Sequence, residues 1–127
     1  MAKNLYTYKA QVKEIIDGDT VDLTVSLGFH MQFEGRFRLF GINTPESYGK
    51  EACEAGKVAK EYLKGLLPPG TAIIVKTDRD KTEKYGRFLA TLYLLDPKGV
   101  PAAEAVNQTL VKLGHAKPYF GVGQKPV

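Results

Sequence analysis

Three short runs in the chain carry residue types suited to chemistry at a phosphodiester. Ile16-Asp17-Gly18-Asp19-Thr20 offers carboxylates at a turn, Arg38-Leu39-Phe40-Gly41-Ile42-Asn43-Thr44-Pro45-Glu46 an arginine, an amide and a glutamate, and Lys84-Tyr85-Gly86-Arg87 a second arginine. Hydrolysis at phosphorus requires the non-bridging oxygens to be neutralised, the extra charge of the transition state to be stabilised and a water to be oriented. Asp19 is the leading metal-ligand candidate, because hard cations such as calcium take several oxygen ligands and a turn presents them without burying an unpaired charge. Asn43 can add a side-chain oxygen and Thr44 a backbone carbonyl, leaving Glu46 for the water. Arg38 and Arg87 present planar forks that stay charged and match phosphate oxygens.

Each run also has a plainer reading. Asp17 to Thr20 alone suits a hairpin turn, and Asn43 to Glu46 a loop whose polar groups satisfy nearby backbone, with Pro45 setting the turn. Most single arginines merely solubilise a surface. The three runs together favour the chemistry. Tyr85, Tyr119 and Phe120 suit core or rim packing as well as stacking on nucleobases, which tolerates any base. His30 and His115 have no acidic or nucleophilic partner in sequence and read as structural.

The elements that must position these runs fit one domain over residues 1–127, with a core from about 6 to 120 and a tail at 121–127 with little to bury. With 43% hydrophobic and 25% charged residues and no apolar run near the roughly 20 residues of a membrane span, the composition is that of a soluble globular chain. One cysteine, Cys53, excludes an internal disulfide, and two histidines leave no Cys/His cluster of zinc spacing. Met1 to Leu5 lack the apolar stretch of a secretory signal, and localisation stays open. The net charge is +4, and the basic excess lies after Gly70, where nine bases face five acids. Lys76, Arg79, Lys81, Lys84 and Arg87 suit a polyanion, although Asp78, Asp80 and Glu83 interrupt them.

Residues 20–27 alternate, placing Val21, Leu23, Val25 and Leu27 on one face of a strand. The next run continues the period, with Phe29, Met31, Phe33, Phe37 and Leu39 on the apolar face, Arg38 pointing away from it, and Gly35 marking a bend. Residues 6–16, 71–77 and 87–95 complete five strands. A helix over 51–67 presents Ala52, Ala55, Ala59, Tyr62, Leu63 and Leu66. A second, over 103–113, presents Val106, Leu110 and Leu113 and stops at Gly114. Three strands, a helix, two strands and a helix is the order of a small closed barrel, mainly β with helices packed against it (α+β).

At these residues the chain resembles the thermonuclease family, the staphylococcal-nuclease-like domains, from about Tyr6 to Phe120. The family pattern Asp-Gly-Asp-Thr, then Arg-Leu-x-Gly-Ile-Asp-Thr-Pro-Glu, then Tyr-Gly-Arg is matched at 17–20, 38–46 and 85–87. The resemblance implies a five-stranded OB-fold barrel with two or three helices. It also implies a calcium-dependent nuclease acting on single-stranded or frayed DNA and RNA with low sequence specificity, leaving 3′-phosphates. By position, Asp19, Asn43 and the Thr44 carbonyl would bind calcium, and Arg38 and Arg87 would hold the phosphate. Glu46 would act as general base or orient the water, and Tyr85 with Tyr119 or Phe120 would lie near the nucleotide.

The chain departs from that pattern at Asn43, where the family has a carboxylate; the amide keeps the oxygen but loses a charge, so calcium binding should be weaker. Family members also commonly continue into a third helix, whereas this sequence stops seven residues after Phe120. An alternative follows from Asn43: a catalytically weak or inactive OB-fold module that binds nucleic acid. A protein-interaction barrel is a third reading. DNA or RNA preference, internal or terminal cleavage, and oligomeric state stay open.

Overall fold

A break in the alternation of the first strand shapes the sheet. The computed structural model describes residues 6–45, 54–78 and 88–118. In β1 (Thr7–Asp17) the buried positions run Ala10, Val12, then Ile15, Asp17, and the register to the next strand shifts between Val12 and Glu14 and again between Ile15 and Asp17. Such bulges add local twist, and β1 curls to pair with two strands: β2 (Thr20–Gly28) along residues 10–17 and β5 (Ala72–Asp78) along residues 7–11. β3 (Met31–Leu39) pairs with β2, and β6 (Phe88–Leu94) pairs antiparallel with β5 and parallel with β3. The order β1-β2-β3-β6-β5 closes a barrel. With α1 (Glu54–Leu66) and α2 (Val106–Lys112) this is the expected α+β OB-type barrel.

The barrel fills as the alternation requires, with Val21, Leu23, Val25, Phe37, Leu39, Ile73, Val75, Ala90 and Leu92 buried. α1 adds Ala59 and Leu63, followed by Leu67, and α2 adds Val106 and Leu110. Ala55 is exposed and the buried Gly56 takes its place on the inner face; Ala52 lies outside the described residues. Leu113, expected on the apolar face of α2, is also exposed, because the helix ends at Lys112 and Gly114 turns the chain with φ +81°. The Gly114 and His115 amides then donate to the Val111 and Leu110 carbonyls, closing the helix end. His115 stacks on Tyr62, with ring centroids 4.7 Å apart.

The apolar row of β3 ends earlier than its alternation suggests. Phe37 and Leu39 are buried, but Phe29 is 94% exposed, and Met31, Phe33 and Leu27 are exposed as well. Phe29 and His30 form the two-residue turn of the β2–β3 hairpin, which reaches beyond the barrel wall. Gly35 does not interrupt the β2–β3 register. The missing side chain instead makes room for the Phe33 ring, whose Cε2 would lie 2.6 Å from a Cβ at Gly35.

One buried polar side chain ties the second helix to the barrel. Asn107 donates to the Phe40 and Ala90 carbonyls at 2.9 and 3.0 Å and accepts the Leu92 amide at 3.1 Å. Truncation would strand these backbone groups, so Asn107→Ala should cost about 3 kcal/mol. Urea unfolding should show a lower midpoint at unchanged slope.

Candidate phosphodiester site

Two turns at one end of the barrel meet, and α1 holds one of them in place. Asp17 ends β1, and its Oδ1 accepts the Gly18 amide at 2.8 Å, tightening the turn into β2. Gly18 is wedged between two elements: a Cβ there would lie 2.9 Å from Thr44 Oγ1 and 3.1 Å from Ala59 Cβ of α1. That close approach requires glycine. Gly18→Ala should cost about 2 kcal/mol by pushing Thr44 and α1 apart, read as a lower thermal midpoint.

Asp19 then points inward, 8% exposed. Its backbone carbonyl accepts the Leu39 amide at 2.8 Å, which fixes it beside the end of β3. Its carboxylate accepts the Thr20 hydroxyl on Oδ1 and the Thr44 amide on Oδ2, both at 3.2 Å. The second bond joins residues far apart in sequence and brings Asp19, Asn43 and Thr44 together. Asn43 and Thr44 are both buried. They follow a reversal at Gly41, where φ of +79° favours glycine.

β4 (Ile42–Asn43) is a two-residue strand paired with β7 (Lys117–Pro118), Asn43 opposite Lys117. This small second sheet has no alternation to betray it in sequence, yet it places Asn43. Arg38 lies on β3 opposite Thr20, and its Nη2 donates to the Ile42 carbonyl at 3.0 Å and to Asn43 Oδ1 at 3.2 Å. The guanidinium therefore sits against the amide oxygen expected to serve as a ligand. β6 enters beside it, Phe88 pairing with Phe37 and Leu89 with Arg38.

The described residues thus bring together four of the expected groups: Asp19, Arg38, Asn43 and Thr44. Glu46, Arg87, Tyr85, Tyr119 and Phe120 lie outside the described residues. Among the described residues no cluster of three or more His, Cys, Asp or Glu side chains is present. Among the described residues the donor set is oxygen-only, with Asp19 its carboxylate, which suits a hard cation and not zinc. Thr44 Oγ1 is buried and makes no hydrogen bond, so the pocket keeps an unsatisfied polar atom next to Gly18 that water or an ion's hydration shell would satisfy. Sequence reasoning gave no separate role to Thr20, which orients the Asp19 carboxylate, or to Gly18; the Asp-Gly-Asp-Thr spacing was the only available signal for either.

Comparison with known proteins adds a lineage to this geometry. A family described as staphylococcal nuclease homologue matches residues 36–126. The chain is 32% identical over 121 residues to Endonuclease YhcR of Bacillus subtilis, an alignment spanning 89% of this chain and 9% of that protein. It is 32% identical over 111 residues to the Thermonuclease of Staphylococcus intermedius, spanning 86% and 58%. An uncharacterised protein of Methanocaldococcus jannaschii, MJ1439, is 28% identical over 132 residues, spanning 89% and 60%. The chain therefore spans less than two thirds of each of these relatives.

Proposed function

The chain belongs to the staphylococcal nuclease homologue family, and on that premise we propose that it is a metal-dependent nuclease hydrolysing the phosphodiester bonds of DNA and RNA with little sequence preference. The observation that carries this reading is the meeting of Asp19, Asn43, Thr44 and Arg38 at one end of the barrel. The activity resides in one domain with its core over about 6–120. Its substrates are single-stranded or frayed nucleic acid.

Arg38 and Arg87 hold the non-bridging oxygens of the scissile phosphate, and their fixed charge is best matched when the phosphorus becomes five-coordinate and doubly charged. Glu46 accepts a proton from the attacking water. The new P–O bond forms as the bond to the 5′ oxygen breaks, leaving a 3′-phosphate and, after protonation, a 5′-hydroxyl. Asp19, the Asn43 amide oxygen and the Thr44 carbonyl would hold calcium. When bound, it would supply positive charge beside the scissile phosphate.

Before it can share that set, Asn43 must also satisfy Arg38, which donates to the same oxygen. Calcium alone should therefore bind weakly, with Kd on the order of 10⁻⁴ to 10⁻³ M. Asn43→Asp should tighten it roughly tenfold, because a divalent ion gains more from the added charge than the monovalent guanidinium does. Isothermal titration showing micromolar binding by the wild type would overturn this.

A second reading, a nucleic-acid-binding barrel without turnover, is favoured by Asn43 standing where the family pattern has a carboxylate and by the Arg38–Asn43 bond. Both readings require nucleic-acid affinity to fall as salt rises, whereas a protein-interaction barrel requires no such affinity.

A further inference from the structure

One nitrogen of Arg38 is already engaged twice within the protein. Nη2 carries two hydrogens and meets two acceptors, the Ile42 carbonyl at 3.0 Å and Asn43 Oδ1 at 3.2 Å. A guanidinium grips a phosphate at two points through one of two forks, Nε with Nη2 or Nη1 with Nη2. Both forks include Nη2. A two-point grip on a phosphate therefore takes one of the two existing bonds away.

The bond to Asn43 is the one that yields. It is the longer of the two, and its acceptor is a side chain that can turn, whereas the Ile42 carbonyl belongs to the backbone of β4, which is paired with β7. With the Ile42 bond kept, the guanidinium stays in place on β3 while it changes partner. The exchange is favourable, because a charged phosphate oxygen replaces a neutral amide oxygen, and hydrogen bonds between ions are roughly twice as strong as neutral ones.

Release changes what Asn43 can do. Its side chain is buried, and the residue after it holds Asp19 through the Thr44 amide, so Oδ1 stands beside the carboxylate expected to bind the ion. While Nη2 lies against Oδ1, a cation sharing that oxygen faces the guanidinium charge at close range. After the exchange the oxygen has lost its donor and a phosphate offsets the arginine charge.

Resting on the nuclease reading, we infer that Arg38 is handed from Asn43 to the substrate phosphate, and that this exchange opens the Asn43 oxygen to the cation. Phosphate and cation are then linked through one hydrogen bond, each tightening the other by the same factor. The amide suits this role better than a carboxylate, which would hold the guanidinium as an ion pair and yield it less readily.

The test is isothermal titration with a thymidine dinucleotide in which a methylene replaces the bridging 5′ oxygen, so that the bond proposed to break is absent. In chelator, Asn43→Ala should bind this probe roughly three- to tenfold more tightly than the wild type, because Nη2 starts without its competing acceptor. Asn43→Ser, whose hydroxyl is too short to reach Nη2, should show the same gain and serves if the alanine variant unfolds. Adding Arg38→Ala to either variant should abolish the gain. In the wild type, saturating probe should lower the calcium Kd by roughly tenfold or more. Variants at Asn43 that bind the probe no more tightly than the wild type overturn the exchange, as does a gain that survives Arg38→Ala. A wild type that cleaves DNA and holds the probe through Arg38 without these effects loses the exchange alone; one that neither binds the probe nor cleaves loses the nuclease reading with it.

Discussion

Arg38→Ala should lower the turnover of denatured DNA by roughly 10³-fold, with most of the loss in kcat. Arg38 is anchored on β3, between the ladder to β2 and the parallel ladder to β6, so its guanidinium reaches the Asn43 region from a rigid element. A donor fixed in advance stabilises charge that develops at the phosphate without reorganising, and that advantage is largest in the transition state. Substrate affinity should fall much less, and the salt slope of binding should drop by about 0.7 to 0.9 for the lost phosphate contact. Arg38→Lys should recover little, because an ammonium lacks the planar fork. A variant within threefold of wild-type kcat would remove Arg38 from the chemistry and leave it as a strut for the Ile42 and Asn43 oxygens.

The second large effect is expected at Glu46. Glu46→Gln keeps size and hydrogen-bonding capacity but cannot take a proton, so single-turnover cleavage should fall by roughly 10²- to 10⁴-fold. Binding of oligonucleotide in chelator should stay within a factor of two or so, since the lost charge would, if anything, have repelled the phosphates. If the variant were silent in every assay, and the wild type bound without turnover, the barrel would be a binding module.

How far these residues were legible in sequence depends on the distance over which their structure is decided. β2 could be read directly, because its alternation from Val21 to Val25 matches a wall with one buried face. The same period misleads at Leu27, Phe29, Met31 and Phe33, since alternation tells which residues share a face and not where the barrel beneath them stops. Leu113 is a similar case: helical spacing places it inside, and the turn at Gly114 puts it outside. Asn107 reads as an ordinary polar helix residue, and only the packing of α2 on β6 turns it into a buried clasp.

The site divides in the same way. Asp19 and Thr44 could be placed together from the motifs, although they are 25 residues apart and meet through one backbone amide. The engagement of Asn43 by Arg38, by contrast, depends on the reversal at Gly41 and on a two-residue pairing with Lys117 and Pro118, which no sequence pattern marks.

The most direct measurement is cleavage of heat-denatured DNA by the purified protein in millimolar calcium, run beside the same reaction in chelator, with the product ends identified. The expected result is calcium-dependent cleavage to fragments bearing 3′-phosphates, abolished by chelator. Intact DNA in calcium, with salt-sensitive binding preserved, would contradict the nuclease assignment.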